Sequence, residues 1–359
     1  MKAVSRMPKG SAYTGRLPRG CVLCEKGAKL VLLLTGVCPR RCFYCPLSTK
    51  KRGKDLTYAN ERMVGTVEEA LDEARLMRAL GTGITGGDPL SRTDRAVEAV
   101  SALKDAFGQR HHIHLYTSTA DGGSIRRLAE AGLDEIRFHP PIGRWGRLAG
   151  SEFEDALRLS KDLGMDAGME LPAIPGAEKG LRAAISFADS ADLDFVNLNE
   201  LEFSETNWKA LRDQGCDTRD DVSSGVAGSE AMARRLLRTD VSVPLHYCSS
   251  SFKDAIQLRR RIARRAKNVR RPHELLTDDG TFLMGVIETR TPARVAKRLA
   301  REFAVPMRLM REDPAKGRLE VAPWVLEEIA PELALGCYLV EEYPTADRLE
   351  VERTPLTRR

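Results

Sequence analysis

Cys38-Pro39-Arg40-Arg41-Cys42-Phe43-Tyr44-Cys45 follows directly on the apolar run Leu30-Val31-Leu32-Leu33-Leu34. The run reads as a buried strand, so the cysteines stand in the loop that leaves it. Their C-x3-C-x2-C spacing suits three corners of a [4Fe–4S] cube, which cysteine thiolates hold. No fourth cysteine follows at close spacing, so one iron is left without a protein ligand from this loop. An open position on a metal is a reaction site, as it is in catalytic zinc enzymes. Zinc itself favours two C-x2-C pairs that close four ligands, which this trio does not supply.

Outward from that loop, strand and helix signals alternate, the pattern of a parallel sheet in an α/β fold. Strands are predicted at Leu30–Thr35, at a short run ending in Gly86-Gly87, and at His112–Thr117, Asp134–His139, Asp166–Leu171 and Asp194–Asn199. Helices are predicted at Val67–Leu80, Arg92–Phe107, Ser124–Ala131, Phe153–Leu163 and Leu181–Ser190. The fold expected is a partial parallel (β/α)6 barrel, with everything from the cysteines to about Val64 a loop. In parallel barrels the chemistry sits at the C-terminal ends of the strands. That rule selects Gly86, Gly87, Asp88, Ser118, Arg137, His139, Glu170 and Asn199, with Thr117, Thr119, Asn197 and Glu200 beside them.

With Tyr44 just before its last cysteine, the trio resembles the signature of the radical S-adenosylmethionine (radical SAM) enzymes. Thr85-Gly86-Gly87-Asp88-Pro89 resembles that family's glycine-rich element, with Asp88 where many members carry Glu. The resemblance implies an oxygen-sensitive enzyme in which Cys38, Cys42 and Cys45 hold a [4Fe–4S] cluster. Its open iron chelates the methionine part of S-adenosylmethionine. One electron, from a flavodoxin- or ferredoxin-like reductant, then yields methionine and a 5′-deoxyadenosyl radical that abstracts hydrogen. It also implies cofactor-binding roles. Gly86, Gly87 and Asp88 would serve the methionine amino group. The other roles are expected from position alone: Tyr44, beside the cysteines, packs on the adenine, the strand-end hydroxyls of Thr117, Ser118 and Thr119 reach the ribose, Arg137 pairs with a carboxylate and Glu170 with an ammonium, with His139 and Asn199 beside them. A Cβ on Gly87 is expected to obstruct the cofactor and spare the cluster. More loosely, the chain resembles an archaeal group described as relatives of pyruvate formate-lyase activating enzyme, which implies glycyl-radical activation of a protein. No residue carries that last step, so RNA, a protein and a metabolite stay open as substrates. An Fe–S electron-transfer protein is the alternative of another class; it would need a fully ligated cluster and no glycine-rich loop.

The chain has 359 residues, 42% hydrophobic and 30% charged, with formal net charge +6. That length supports a barrel plus a smaller domain, and the charge favours an anionic partner. No run of about 18 apolar residues is present, so no membrane span is expected. Residues 1–9 lack the apolar core of a signal peptide. Eight cysteines in so long a chain do not read as a disulfide scaffold, and a labile cluster needs a reducing compartment, so the expected location is cytoplasmic.

Four regions are expected: an N-terminal segment 1–29, the barrel 30–250, a basic helix and linker 251–277, and a C-terminal α+β domain 278–359. The first carries Cys21 and Cys24, one C-x2-C, which cannot complete a tetrahedral zinc site alone. His246 and Cys248 alternate along the predicted strand Pro244–Cys248 and so leave the same face. Cys21, Cys24 and Cys248, with or without His246, predict a second metal site, iron–sulfur or zinc. The competing reading makes Cys248 a small buried hydrophobe. Between Phe252 and Arg271 an apolar stripe is flanked by Arg259, Arg260, Arg264, Lys267 and Arg271. That is a solvated surface helix or a footprint for an RNA backbone. The last region suggests a split β-α-β arrangement.

Overall fold

The structure, a computed structural model, describes residues 3–220 and 223–356. Met1 and Lys2 of the N-terminal stretch lie outside the described residues, as do Asp221 and Val222 of an acidic turn. The chain forms two compact units: residues up to Arg75 with Ala79–Leu258, and Leu76–Arg78 with Arg259 onward.

The first unit is an eleven-stranded sheet. Its strands are β1 (Val4–Arg6), β2 (Ala12–Thr14), β3 (Lys29–Thr35), β4 (Thr57–Ala59), β5 (Arg62–Val64), β6 (Gly81–Gly86), β7 (His112–Thr117), β8 (Glu135–Phe138), β9 (Asp166–Ala173), β10 (Phe195–Glu200) and β11 (Leu245–Cys248). Their order is β1-β2-β11-β10-β9-β8-β7-β6-β3-β4-β5. From β3 to β11 every pairing is parallel, so the six expected barrel strands are joined by β11 as a seventh. The stretch read as loop up to Val64 contains the antiparallel hairpin β4–β5, whose three-residue strands are too short to show a period of two. The stretch read as turn-rich before Lys29 contains β1, β2 and helix α1 (Arg19–Glu25).

Helices α2 (Val67–Leu76), α3 (Thr93–Phe107), α4 (Gly122–Glu130), α5 (Glu152–Asp162) and α6 (Glu178–Ser190) alternate with the strands, and α7 (Trp208–Asp213) and α8 (Ser229–Leu236) follow. Their buried positions recur at i, i+3, i+4 and i+7, as in Ala96, Ala99, Val100 and Leu103 of α3 and Leu181, Ala184, Ile185 and Ala188 of α6. That stripe packs on one sheet face. A short turn α9 (Ser250–Phe252) then runs into a π-helical stretch, Lys253–Leu258.

Alternation along the strands puts Ile113, Leu115, Ile136, Phe138, Met169, Leu171, Val196 and Leu198 into the apolar core. The opposite face is polar. It carries His114 and Tyr116 of β7, Glu135 and Arg137 of β8, Glu170 of β9, Asn197 and Asn199 of β10, and His246 and Cys248 of β11. Helix α1 lies against that polar face. The Gly20 N–H donates to Glu135 at 3.2 Å, and a Cβ there would stand 2.5 Å from the His114 ring and 2.8 Å from the Arg137 guanidinium. Only glycine lets the helix approach so closely.

The second unit holds α10 (Arg259–Val269), β12 (Leu275–Leu276), β13 (Phe282–Glu288), α11 (Pro292–Glu302), β14 (Met310–Asp313), β15 (Arg318–Val321), α12 (Pro323–Ile329), β16 (Cys337–Glu342) and β17 (Glu350–Pro355). The order β14-β15-β13-β16-β17 is antiparallel throughout. It leaves β13 and β14 parallel with β15 between them, and β15 and β16 parallel with β13 between them. These are two interlocked split β-α-β units. On this sheet His273, Glu274 and Glu320 bring ligand atoms within 4.8 Å of one another. Arg311 at 3.0 Å and Arg318 at 2.6 Å sit on Glu320, and Arg348 at 2.5 Å on Glu274. Such a ring of guanidinium groups repels a cation, so the trio is an ion-pair network. Among the described residues no helix is long and apolar enough to cross a membrane.

Buried histidines make the fold acid-sensitive. Burial, with Lys104 nearby, lowers His111 from 6.5 to about 4, and burial lowers His246 likewise to about 4. Below pH 6.5 the unfolded chain takes up protons that the folded one refuses, so stability falls as pH drops from 6.5 toward 4. The expected slope is about 1.4 kcal/mol per pH unit for each histidine. Urea midpoints of the apoprotein between about pH 4.5 and about pH 7 measure it. His111→Gln is expected to flatten the slope, and an unchanged slope would remove His111 from this account.

Candidate active site and metal centres

The cysteine loop leaves β3 at Thr35 and is closed at its root by backbone. The Gly36 N–H donates to Lys54 and the Gly53 N–H to Gly36, each at 2.8 Å. The Thr35 hydroxyl donates to Asp55 at 2.8 Å and accepts from the Val37 N–H at 3.1 Å. Asp55 in turn pairs with Arg92 and Arg95, each at 2.8 Å, and these cations hold its carboxyl below the usual range. The far side is held by Asn207, whose amide donates to the Tyr44 carbonyl at 3.0 Å, and by the Thr206 hydroxyl on the Cys45 carbonyl at 3.2 Å. Cys38, Cys42 and Cys45 are half-buried and unpaired with one another. The Arg40 N–H donates to the Cys38 sulfur at 3.3 Å. Around one zinc, sulfurs lie about 3.8 Å apart. Among the described residues the only three metal-binding side chains whose ligand atoms converge within 4.8 Å are His273, Glu274 and Glu320. Three thiols on one loop, one of them receiving an N–H···S bond, are the donor set that an iron–sulfur cube takes.

The glycine-rich stretch ties this loop to the next strand. The Gly87 N–H donates to the Thr35 carbonyl at 2.7 Å and the Asp88 N–H to the Val37 carbonyl at 2.8 Å. Asp88 is fully buried. Its carboxylate accepts from Thr117 at 2.8 Å, the Ser118 N–H at 3.1 Å, the Ser118 hydroxyl at 2.7 Å, Thr119 at 2.8 Å and the Leu90 N–H at 3.1 Å. The hydroxyls read as ribose contacts are therefore turned onto Asp88, and Asp88 braces β6 against β7. A Cβ on Gly87 would fall inside van der Waals contact of the Val37 carbonyl. This corrects the expectation that such a group would meet only the cofactor: it meets the root of the cysteine loop.

Tyr44 packs inward, 7% exposed. Its hydroxyl lies 2.9 Å from His139 Nε2, and His139 Nδ1 lies 2.7 Å from the Glu170 carbonyl. A carbonyl only accepts, so Nδ1 carries the proton and Nε2 accepts from Tyr44. Burial keeps His139 neutral by lowering its pKa. Below it, Glu170 accepts from Arg137 at 3.1 Å, Asn197 at 2.8 Å and Asn199 at 2.7 Å. Burial alone would raise the Glu170 carboxyl, but these donors outweigh it and hold it down. Arg137 is also ion-paired with Glu135. The charged pair expected to meet ligand carboxylate and ammonium groups thus meets partners within the protein.

Cys21 and Cys24 come from α1. The Cys21 sulfur accepts from Arg137 and Asn197 at 3.5 Å. The Cys24 thiol donates to Gln257 Oε1 at 2.9 Å, and Gln257 Nε2 donates to the Cys248 sulfur at 3.6 Å. His246 Nδ1 lies 3.3 Å from Asn197 Oδ1. Thr35, Asp55, Arg92, Arg95, Asn207 and Gln257 escaped the sequence reading. Each acts through a partner at least 20 residues away, which spacing along the sequence does not display.

Comparison with known proteins adds lineage to geometry. The family model of the radical SAM superfamily matches residues 32–177, and a domain of unknown function (DUF8061) matches residues 280–356. A Methanocaldococcus jannaschii protein, provisionally named as a glycyl-radical enzyme activating enzyme, is 39% identical over 363 aligned positions. The match covers 95% of this chain and 93% of that protein. Streptococcus suis SuiB bound to S-adenosylmethionine is 11% identical with a TM-score of 0.43, covering 62% of this chain and 50% of its own. Methylornithine synthase is 13% identical with a TM-score of 0.40, covering 62% and 69%.

The geometry makes two substitutions informative. Gly87→Val is expected to lose iron together with cofactor binding, read as iron per chain after anaerobic reconstitution. Full iron with cofactor binding alone lost would restore the simpler obstruction. Asp88→Ala leaves five donors without their acceptor and is expected to cost about 2–4 kcal/mol in urea denaturation of the apoprotein. A cost below about 1 kcal/mol would show that the brace is dispensable.

Proposed function

This chain belongs to the radical SAM superfamily, and we propose that it activates a protein partner by taking hydrogen from a backbone glycine. The observation that carries the partner class is the match, over 95% of the chain, to a protein named as an activating enzyme. Cys38, Cys42 and Cys45 would hold a [4Fe–4S] cluster, which when bound would supply the electron for reductive cleavage of S-adenosylmethionine to methionine and a 5′-deoxyadenosyl radical.

The chain's own residues position and shield that chemistry. The three thiolates hold the metal, and the Arg40 N–H on Cys38 steadies one of them. Gly86 and Gly87 let β6 close on the root of the loop, where a Cβ would strike the Thr35 or Val37 carbonyl, while Asp88 fixes the strand ends beside it. Tyr44, held by His139, excludes water beside the cysteines. Glu170, Asn197 and Asn199 form a hydrogen-bonded polar layer across β9 and β10 that holds these strands in register.

RNA is less favoured as the substrate. On the basic helix α10, Arg259 pairs with Asp279 at 2.9 Å and with the Asp278 carbonyl, and the buried Arg265 donates to the Pro344 carbonyl. That leaves less charge for phosphates.

The test is anaerobic incubation with S-adenosylmethionine, dithionite and a glycine-loop peptide of a glycyl-radical enzyme, deuterated at the glycine Cα. 5′-Deoxyadenosine carrying deuterium is expected, and Cys38→Ala, Cys42→Ala or Cys45→Ala should each abolish it. 5′-Deoxyadenosine without deuterium, from that peptide and from the whole glycyl-radical enzyme, overturns the protein substrate. No 5′-deoxyadenosine at all, with or without cell extract, overturns the radical chemistry.

A further inference from the structure

We propose that Cys21, Cys24 and Cys248 hold a second iron–sulfur cluster within the barrel. Cys21 and Cys24 lie three residues apart on α1, and Cys248 ends β11, more than two hundred residues later. The fold brings them to one place. A single amide spans two of them, with Gln257 Oε1 accepting from Cys24 at 2.9 Å and Nε2 donating to Cys248 at 3.6 Å. Cys21 stands on the other side, where Arg137 and Asn197 both direct N–H groups at its sulfur from 3.5 Å.

Those donors call for a negatively charged sulfur. Burial opposes that charge in the bare protein: it raises Cys21 to about 11 and raises Cys248 as well. Coordination resolves the conflict, because a thiol that binds a metal is deprotonated outright. Hydrogen bonds to sulfur are also a standard means of tuning clusters. A second, independent sign is His246. It is 3% exposed, it shares its strand face with Cys248, and its Nε2 has no hydrogen-bond partner. An unpartnered buried nitrogen costs about 1–3 kcal/mol, which a ligand on the strand face it shares with Cys248 would offset.

The donor set favours the class of metal: thiolates whose sulfurs receive N–H groups are the ligands of iron–sulfur clusters. As with Cys38, Cys42 and Cys45, no three of these four side chains bring ligand atoms within 4.8 Å of one another among the described residues. Gln257 belongs to the π-helical stretch Lys253–Leu258. Such widened turns recur at functional sites, and this one aims the amide between two thiols. On cluster assembly from ferrous and ferric iron in equal amounts with sulfide, no further oxidant is needed; each thiol releases its proton to solvent and takes one iron, and the Gln257 amide gives way.

The test uses the full chain with Cys38, Cys42 and Cys45 all replaced by alanine, reconstituted anaerobically with equal amounts of ferrous and ferric iron and with sulfide. About four iron and four sulfide per chain are expected to remain, the stoichiometry of one cube, with an electron paramagnetic resonance signal after dithionite. Adding Cys21→Ala, Cys24→Ala or Cys248→Ala should remove that iron, and adding Cys216→Ala should not. To guard against misfolding of the multiple variants, Cys24→Ala is also made alone. It should lose about half of the iron while keeping the signal that S-adenosylmethionine perturbs. A triple variant free of iron, or one that retains zinc in its place, overturns the proposal. So does a Cys24→Ala protein with undiminished iron.

Discussion

The guanidinium of Arg137 is the charge around which the barrel interior is built. It is 1% exposed, and taking such an ion out of water costs several kcal/mol unless partners replace the water. Glu135 and Glu170 supply the opposite charge, and the rings of Tyr116 and Phe195 face it at 5.2 and 5.1 Å. Each partner is fixed in turn by something else. Glu135 receives the Gly20 N–H of α1, and Glu170 receives both asparagines of β10. Removing the guanidinium would leave two carboxylates buried and unbalanced, so strands β7 to β10 and α1 depend on one another through it.

The cysteine loop is positioned on a different principle. It has little apolar content of its own, so it is held by hydrogen bonds at both ends. Asp55 with its two arginines and the Gly36–Lys54 contacts fix the root, and Asn207 with Thr206 fixes the far side. Reactive groups must be held within a fraction of an ångström to be useful, and that takes supporting groups with settled conformations. Tyr44 illustrates it: its ring is set by His139, and His139 by a backbone carbonyl that cannot change its role.

Much of this was readable before the structure. The six-strand alternation, the cysteine trio, the glycine-rich stretch and the split β-α-β pattern rest on periodicity and spacing, which a single sequence displays. Residues at strand ends could be selected but not assigned. Ser118, Asp88, Arg137 and Glu170 were read as facing a ligand, and each is turned toward a protein partner. Strand position says where a side chain begins; which neighbour meets it depends on register and on α1, whose seven residues are too few for a helical period. The brace at Asp55 and the Gln257 amide lay beyond reach for a similar reason, since their partners are set by tertiary packing alone.

The N-terminal strands have a consequence for synthesis. Strand β2 joins the sheet only through β1 and β11, with Tyr13 opposite His246. A ribosome adding about 5–20 residues per second therefore spends roughly 10–50 s between making β2 and making its partner. Through that interval β1 and β2 make an isolated hairpin with a bare edge, too small to be stable in water. Helix α1 faces a similar wait for β10 and Gln257. The protein thus completes its barrel by recruiting its earliest residues last, a topology of long sequence separations that favours slow folding.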